Sequence, residues 1–156
     1  MMRLDEAGLV RWGSSIGASA TTPILIGLAG PLGAGKSVLA RAIGGGAGVS
    51  DRMASPSYTL MQRYEGRAGR HVVHLDLYRI DSPDELHELG WAQLGGADEI
   101  VLVEWPERAG QLLPLDHWLI VIEVPDGEPL LRDIEVRRIG SPTDLAGFPM
   151  SVSGSP

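Results

Sequence analysis

The chain has 156 residues, 44% of them apolar, and no cysteine. That is the length of one domain with enough apolar surface for its own core, and it excludes disulfides, thiolate zinc sites and cysteine nucleophiles. Thirteen basic residues against 20 acidic ones leave a net charge of −7, a poor balance for a stand-alone polyanion binder, because nucleic-acid affinity comes largely from Lys and Arg neutralising phosphates.

In chain order, residues 4–20 predict an N-terminal helix, although the apolar spacing there is irregular. Asp5 and Glu6 interrupt the first ten residues, so no secretory leader is expected. Ile24-Leu25-Ile26-Gly27-Leu28-Ala29 is a run of branched apolar residues, the pattern of a buried parallel strand. A helix is expected over 37–43, stopped by Gly44-Gly45-Gly46. Strands are expected over 59–64 and 72–78, joined through the glycine-containing stretch 65–70. Ser82-Pro83-Asp84-Glu85 has the form of a capping box with proline at the first helical position, opening a helix that runs to Gly90. Two more apolar strands are expected over 100–103 and 118–124, and 130–139 reads as an antiparallel edge. From Gly140 onward Ser, Pro and Gly predominate, which predicts a loose tail over 140–156 beside a single domain over 1–139. No uncharged apolar run approaches the ~18–20 residues of a membrane helix, so a cytoplasmic protein without membrane contact is expected.

The chemistry concentrates in three places. Gly30-Pro31-Leu32-Gly33-Ala34-Gly35-Lys36-Ser37 fits G-x-x-x-x-G-K-[ST], the P-loop. Its glycines let backbone N–H groups around Gly33, Ala34, Gly35 and Val38 converge on phosphate oxygens, at the positive end of the following helix. Twelve of the 13 basic residues are arginine and asparagine is absent, the composition of a GC-rich genome; the one lysine is Lys36. A compact mobile charge reaching β- and γ-phosphates is a task an arginine fork does not duplicate, while the Ser37 hydroxyl can ligate Mg²⁺. These motifs, alternating with strand and helix patterns, predict a three-layer α/β, P-loop NTPase-like domain with a mostly parallel central sheet. Glu104 follows the strand at 100–103, where such a domain needs a metal-side carboxylate, to hold Mg²⁺ through water or to polarise the attacking water. Trp105 comes next, and either packs near a nucleotide or caps the core. In His74-Leu75-Asp76-Leu77-Tyr78-Arg79, strand alternation turns His74, Asp76 and Tyr78 to one face. Polar groups there need partners, which Mg²⁺ and Lys36 would give Asp76; otherwise this is an exposed strand face. Ser55-Pro56-Ser57-Tyr58-Thr59 is a hydroxyl-rich loop in which Ser57 and Thr59 are candidate γ-phosphate switch residues.

Taken together, GPLGAGKS (30–37), SPSYTL (55–60), HLDLYRI (74–80), Asp84-Glu85-Leu86 with Leu89-Gly90, and LVEWPER (102–108) before Leu113-Pro114 resemble the TsaE family in order and spacing from about residue 5 to 139. That family is the ATPase of bacterial tRNA threonylcarbamoyladenosine synthesis. The resemblance implies that ATP and Mg²⁺ are bound, with Lys36 and Ser37 serving phosphate and metal, Glu104 ligating Mg²⁺, and Asp76 acting in hydrolysis. It places the adenosine end near Glu6 and Arg132. It also implies TsaB-like and TsaD-like synthase partners that hold the tRNA, which the acidic charge of this chain fits. The family usually has Asp where Pro31 stands and Thr where Ser57 stands; Ser57 keeps the hydroxyl, and Pro31 removes one N–H from the outer edge of the loop. Competing readings are a small-molecule kinase, with Arg63, Arg67 and Arg70 as a phosphate-clamping lid, and an ATP/ADP-sensing module with negligible turnover. A guanine-specific site built on Asn-Lys-x-Asp is disfavoured in a chain without Asn.

Overall fold

The apolar run at 24–29 becomes strand β2 (Ile24–Ala29), and it is apolar on both faces because it lies in the middle of a sheet. The computed structural model describes residues 1–54, 60–145 and 148. Beside β2 it contains β1 (Met2–Asp5), β3 (Met61–Glu65), β4 (His71–Asp76), β5 (Glu99–Glu104), β6 (His117–Glu123) and β7 (Leu131–Ile139). The order across the sheet is β1-β7-β6-β2-β5-β4-β3. The central strands β6, β2, β5 and β4 are parallel, whereas β7 pairs antiparallel with β6, β1 with β7, and β3 with β4. The expected α/β architecture with a parallel centre is therefore present, with antiparallel strands at both edges.

Several local expectations are corrected. Strand β7 is not an edge, because β1 covers it, with Met2 opposite Ile134 and Asp5 opposite Leu131. The helix expected over 4–20 accordingly starts later, as α1 (Glu6–Ser19), where Asp5 ends the strand and caps the helix by accepting from Gly8 N at 2.7 Å. Helix α2 (Lys36–Gly46) does not stop at Gly44 but runs through all three glycines. Gly46, with Gly17 of α1, serves the packing of the two helices: α1 lies so close that a Cβ on Gly17 would sit 1.9 Å from Ile43 O, and one on Gly46 would sit 1.9 Å from Ser14 O. The helix expected from the capping-box sequence to Gly90 is a single turn, α3 (Glu85–Glu88), with no side-chain cap from Asp84; Gly90, at φ 80°, ends the segment. Strand β4 stops at Asp76 rather than Tyr78, because the Asp76 Oδ1 accepts from Tyr78 N at 3.0 Å and turns the chain.

The sheet divides two apolar clusters. On one face α1 and α2 pack over Ile26, Leu28, Leu102 and Ile120. On the other, Leu86, Trp91 and Ala109 from α3 and short 3₁₀ turns cover Val73, Leu75, Val101 and Val103. The described part of the segment expected to be a loose tail docks on the first cluster. Trp118 donates from Nε1 to Thr143 O at 2.8 Å, Leu145 and Phe148 are buried, and the Phe148 ring meets Trp118 edge-on at 4.9 Å. Among the described residues no helix is long and apolar enough to cross a membrane.

Candidate functional site

The site forms where β2, β4 and β5 end on the same side of the sheet, the usual place for ligands in parallel α/β sheets. The loop 30–35 leaves β2 and turns into α2. At Gly30 the backbone has φ 149° and passes so close to β6 that a Cβ would lie 2.3 Å from Ile122 O, a conformation and an approach open only to glycine. The loop closes on itself through Ala34 N donating to Pro31 O at 3.1 Å, and α2 begins at Lys36 without a side-chain cap, so the first N–H groups of the helix are available to an anion.

Parallel register brings the acidic residues together. Asp76, the last residue of β4, lies directly opposite Glu104, the last residue of β5, which is also opposite Leu28 of β2. Glu104 is 3% exposed. It accepts from Ser37 Oγ, at 3.0 and 3.1 Å from its two oxygens, and its Oε2 lies 2.6 Å from His74 Nε2. Lys36 is also buried; its Nζ donates to Gly30 O at 2.7 Å and Pro31 O at 2.8 Å, and sits 4.3 Å from the centre of the Trp105 ring. Burial pulls the Lys36 ammonium below its ordinary pKa, against the opposing pull of the Glu104 and Asp76 carboxylates. Burial also pushes the Asp76 carboxyl up, opposed by its bond from Tyr78 N and by Lys36.

These groups line a cleft of about 380 Å³ with Gly33, Gly35, Val38, Leu60, Tyr78 and Arg79 on its walls. A smaller cavity of about 180 Å³ shares Gly33, Gly35 and Val38 with it and is walled by Glu6, Leu9, Pro129, Leu130 and Arg132. Arg132 also braces the loop, donating from Nε to Ala34 O at 2.7 Å. Thus Lys36, Ser37, Asp76, Glu104 and Trp105 meet in one cleft, and Glu6 and Arg132 meet in the cavity beside it. Trp105 packs on the second apolar cluster, as its core reading expected, and also stands against the lysine, with its ring tilted against that of Tyr78 at 5.0 Å between centres. Ser57 and Thr59 lie outside the described residues. Arg63, Arg67 and Arg70 do not line the cleft: Arg63 pairs with Glu99 and Asp98, Arg67 donates to Gly46 O at 2.6 Å, and Arg70 to Ala20 O at 2.6 Å. Sequence reasoning missed the contact of His74 with Glu104 and the place of Arg79 on the cleft wall. The alternation that grouped His74 with Asp76 was the available sign of the first.

A sheet with a parallel centre, a Gly-Lys-Ser loop between β2 and α2, and carboxylates at the adjacent ends of β5 and β4 define a P-loop NTPase-like domain. A sequence model described as "Threonylcarbamoyl adenosine biosynthesis protein TsaE" matches residues 4–134, and the chain belongs to the TsaE family. The tRNA threonylcarbamoyladenosine biosynthesis protein TsaE of Haemophilus influenzae is 35% identical over 137 residues, covering 85% of this chain and 84% of that one. The protein of the same description from Mycobacterium tuberculosis is 34% identical, over 71% of this chain and 70% of the relative. Among solved structures, Bacillus subtilis YdiB superposes with a TM-score of 0.71 at 26% identity, covering 89% of this chain and 84% of that one.

Proposed function

We propose that the protein is a Mg²⁺-dependent ATPase that supports the synthase forming threonylcarbamoyladenosine in tRNA. One observation carries the reading: the only lysine of the chain stands in a P-loop beside Ser37, Glu104 and Asp76, all in a single cleft. In this reading the N–H groups of 33–38 cradle the phosphates, and Lys36 exchanges its loop carbonyls for β- and γ-phosphate oxygens. Ser37 and Glu104 hold Mg²⁺. The donor set fits such an ion: a hydroxyl and a carboxylate are hard oxygen ligands, and among the described residues no cluster of three His, Asp or Glu side chains offers an all-protein cage, so the remaining ligands are phosphate and water oxygens. The metal, when bound, neutralises charge on the phosphates during transfer. Asp76 orients the attacking water and accepts its proton as the water oxygen bonds to the γ-phosphorus and the bond to the β–γ bridging oxygen breaks. Glu6 and Arg132 bound the adenosine side, and Trp105 packs alongside the lysine.

The proposed partners are a TsaB-like and a TsaD-like protein that hold the tRNA, and hydrolysis by this chain is slow until they dock. The test is phosphate release from Mg·ATP by the protein alone and with the purified synthase pair. Stimulation by the pair that Lys36→Ala abolishes is the expected result, with ATP bound more weakly by the variant, since the phosphate-binding charge is lost. Tight ATP binding without stimulation would replace the ATPase by an ATP/ADP-sensing module.

A further inference from the structure

His74 is fully buried, and its Nε2 stands 2.6 Å from Glu104 Oε2. Its other ring nitrogen, Nδ1, is buried with no hydrogen-bond partner. An aliphatic residue at this position of β4 would leave no polar atom unsatisfied, so the physical account of the imidazole lies in what its other edge does. That edge faces the carboxylate on which Ser37 also converges. When the Ser37 oxygen serves a cation, His74 remains the side-chain donor to Glu104 given by this structure. The pairing of β4 with β5 sets His74 opposite Leu102, two residues before Glu104, and full burial packs the ring in place.

We propose that His74 is the positioning residue of Glu104: its Nε2–H fixes one carboxylate oxygen so that the other is presented toward Ser37 for Mg²⁺. The proposal rests on the nucleotide reading above. Outer partners that orient metal-ligating side chains characteristically affect metal affinity by 10–100-fold.

The experiment measures, by calorimetry, the affinity for the non-hydrolysable β,γ-imido analogue of ATP in EDTA and in saturating Mg²⁺. No turnover is involved. In the wild-type protein Mg²⁺ tightens binding. In His74→Leu the affinity in EDTA stays the same and the tightening by Mg²⁺ falls about 10-fold or more. His74→Gln, whose amide nitrogen reaches the place of Nε2, restores most of it. His74→Asn, whose nitrogen reaches only the place of Nδ1, does not, and it supplies the negative arm if the leucine variant fails to fold. Unchanged Mg²⁺ tightening in the leucine and asparagine variants overturns the positioning role alone. Equal loss of binding with and without Mg²⁺ in all three variants overturns it in favour of a packing role. A wild-type protein that binds no Mg²⁺·nucleotide overturns the nucleotide reading together with this one.

Discussion

At the scale of single residues, the cleft holds charge at a cost to the fold. Asp76 is pushed above the ordinary carboxylate pKa by burial, so between its unfolded and folded values the native protein binds the proton more tightly than the unfolded chain. Its ionised form therefore lowers stability at neutral pH, and the loss is relieved as pH falls through the folded-state value. Asp76→Asn keeps the oxygen that accepts from Tyr78 and removes the charge. A thermal melt at pH 7 is expected to show a higher Tm, while phosphate release is lost and nucleotide affinity is kept. The gain should shrink toward pH 4; a variant no more stable than the wild type at pH 7 would contradict it. The residues announced by local pattern, Lys36 and Ser37 inside a contiguous motif, Glu104 after an apolar strand and Asp76 by its alternation with His74 and Tyr78, were legible in the sequence, although the end of β4 at Asp76 was not. The bond between His74 and Glu104 was not, because those residues are 30 apart in sequence and only the β4–β5 register brings them together.

At the scale of elements, the glycines at 44–46 illustrate how a local rule yields to tertiary packing. Three glycines in a row weaken a helix by backbone entropy, which is why a stop was expected there. The crossing of α1 over α2 needs the absence of side chains at Gly17 and Gly46, and that need is invisible without knowing that the two helices touch. Gly17→Ala and Gly46→Ala should each destabilise the protein by about 3 kcal/mol through overpacking against a backbone carbonyl, read as a lowered urea midpoint. Gly45→Ala, where a Cβ meets nothing within 4 Å, should be neutral or stabilising, since alanine is the better helix former. Strand β1 escaped the sequence reading for a related reason: four residues alternating between half-buried and exposed carry little pattern, and β7 supplies the partner from the far end of the chain.

At the scale of the whole molecule, the fold is one sheet with its parallel centre sheltered by antiparallel strands on both sides. The parallel centre was legible because strands buried on both faces are uniformly apolar; the order across the sheet was not, because it depends on contacts distant in sequence. The described residues after Gly140 belong to this whole, since Phe148 fills the space between Trp12 and Trp118. Phe148→Ala should cost about 3 kcal/mol, measured by chemical denaturation, and an unchanged midpoint would show that the ring adds nothing to the core. The pairing of β1 with β7 also bears on how the protein is made. Arg3 and Asp133, 130 residues apart, form one of the links across that pair, so β1 leaves the ribosome before the other described strands and must wait for β7, the last of them, before it has a neighbour. Vectorial synthesis can assemble α1, β2 and α2 early, but the sheet closes only once translation has passed β7, and until then the nascent chain displays an apolar sheet face and unpaired strand edges to the chaperones of the cell.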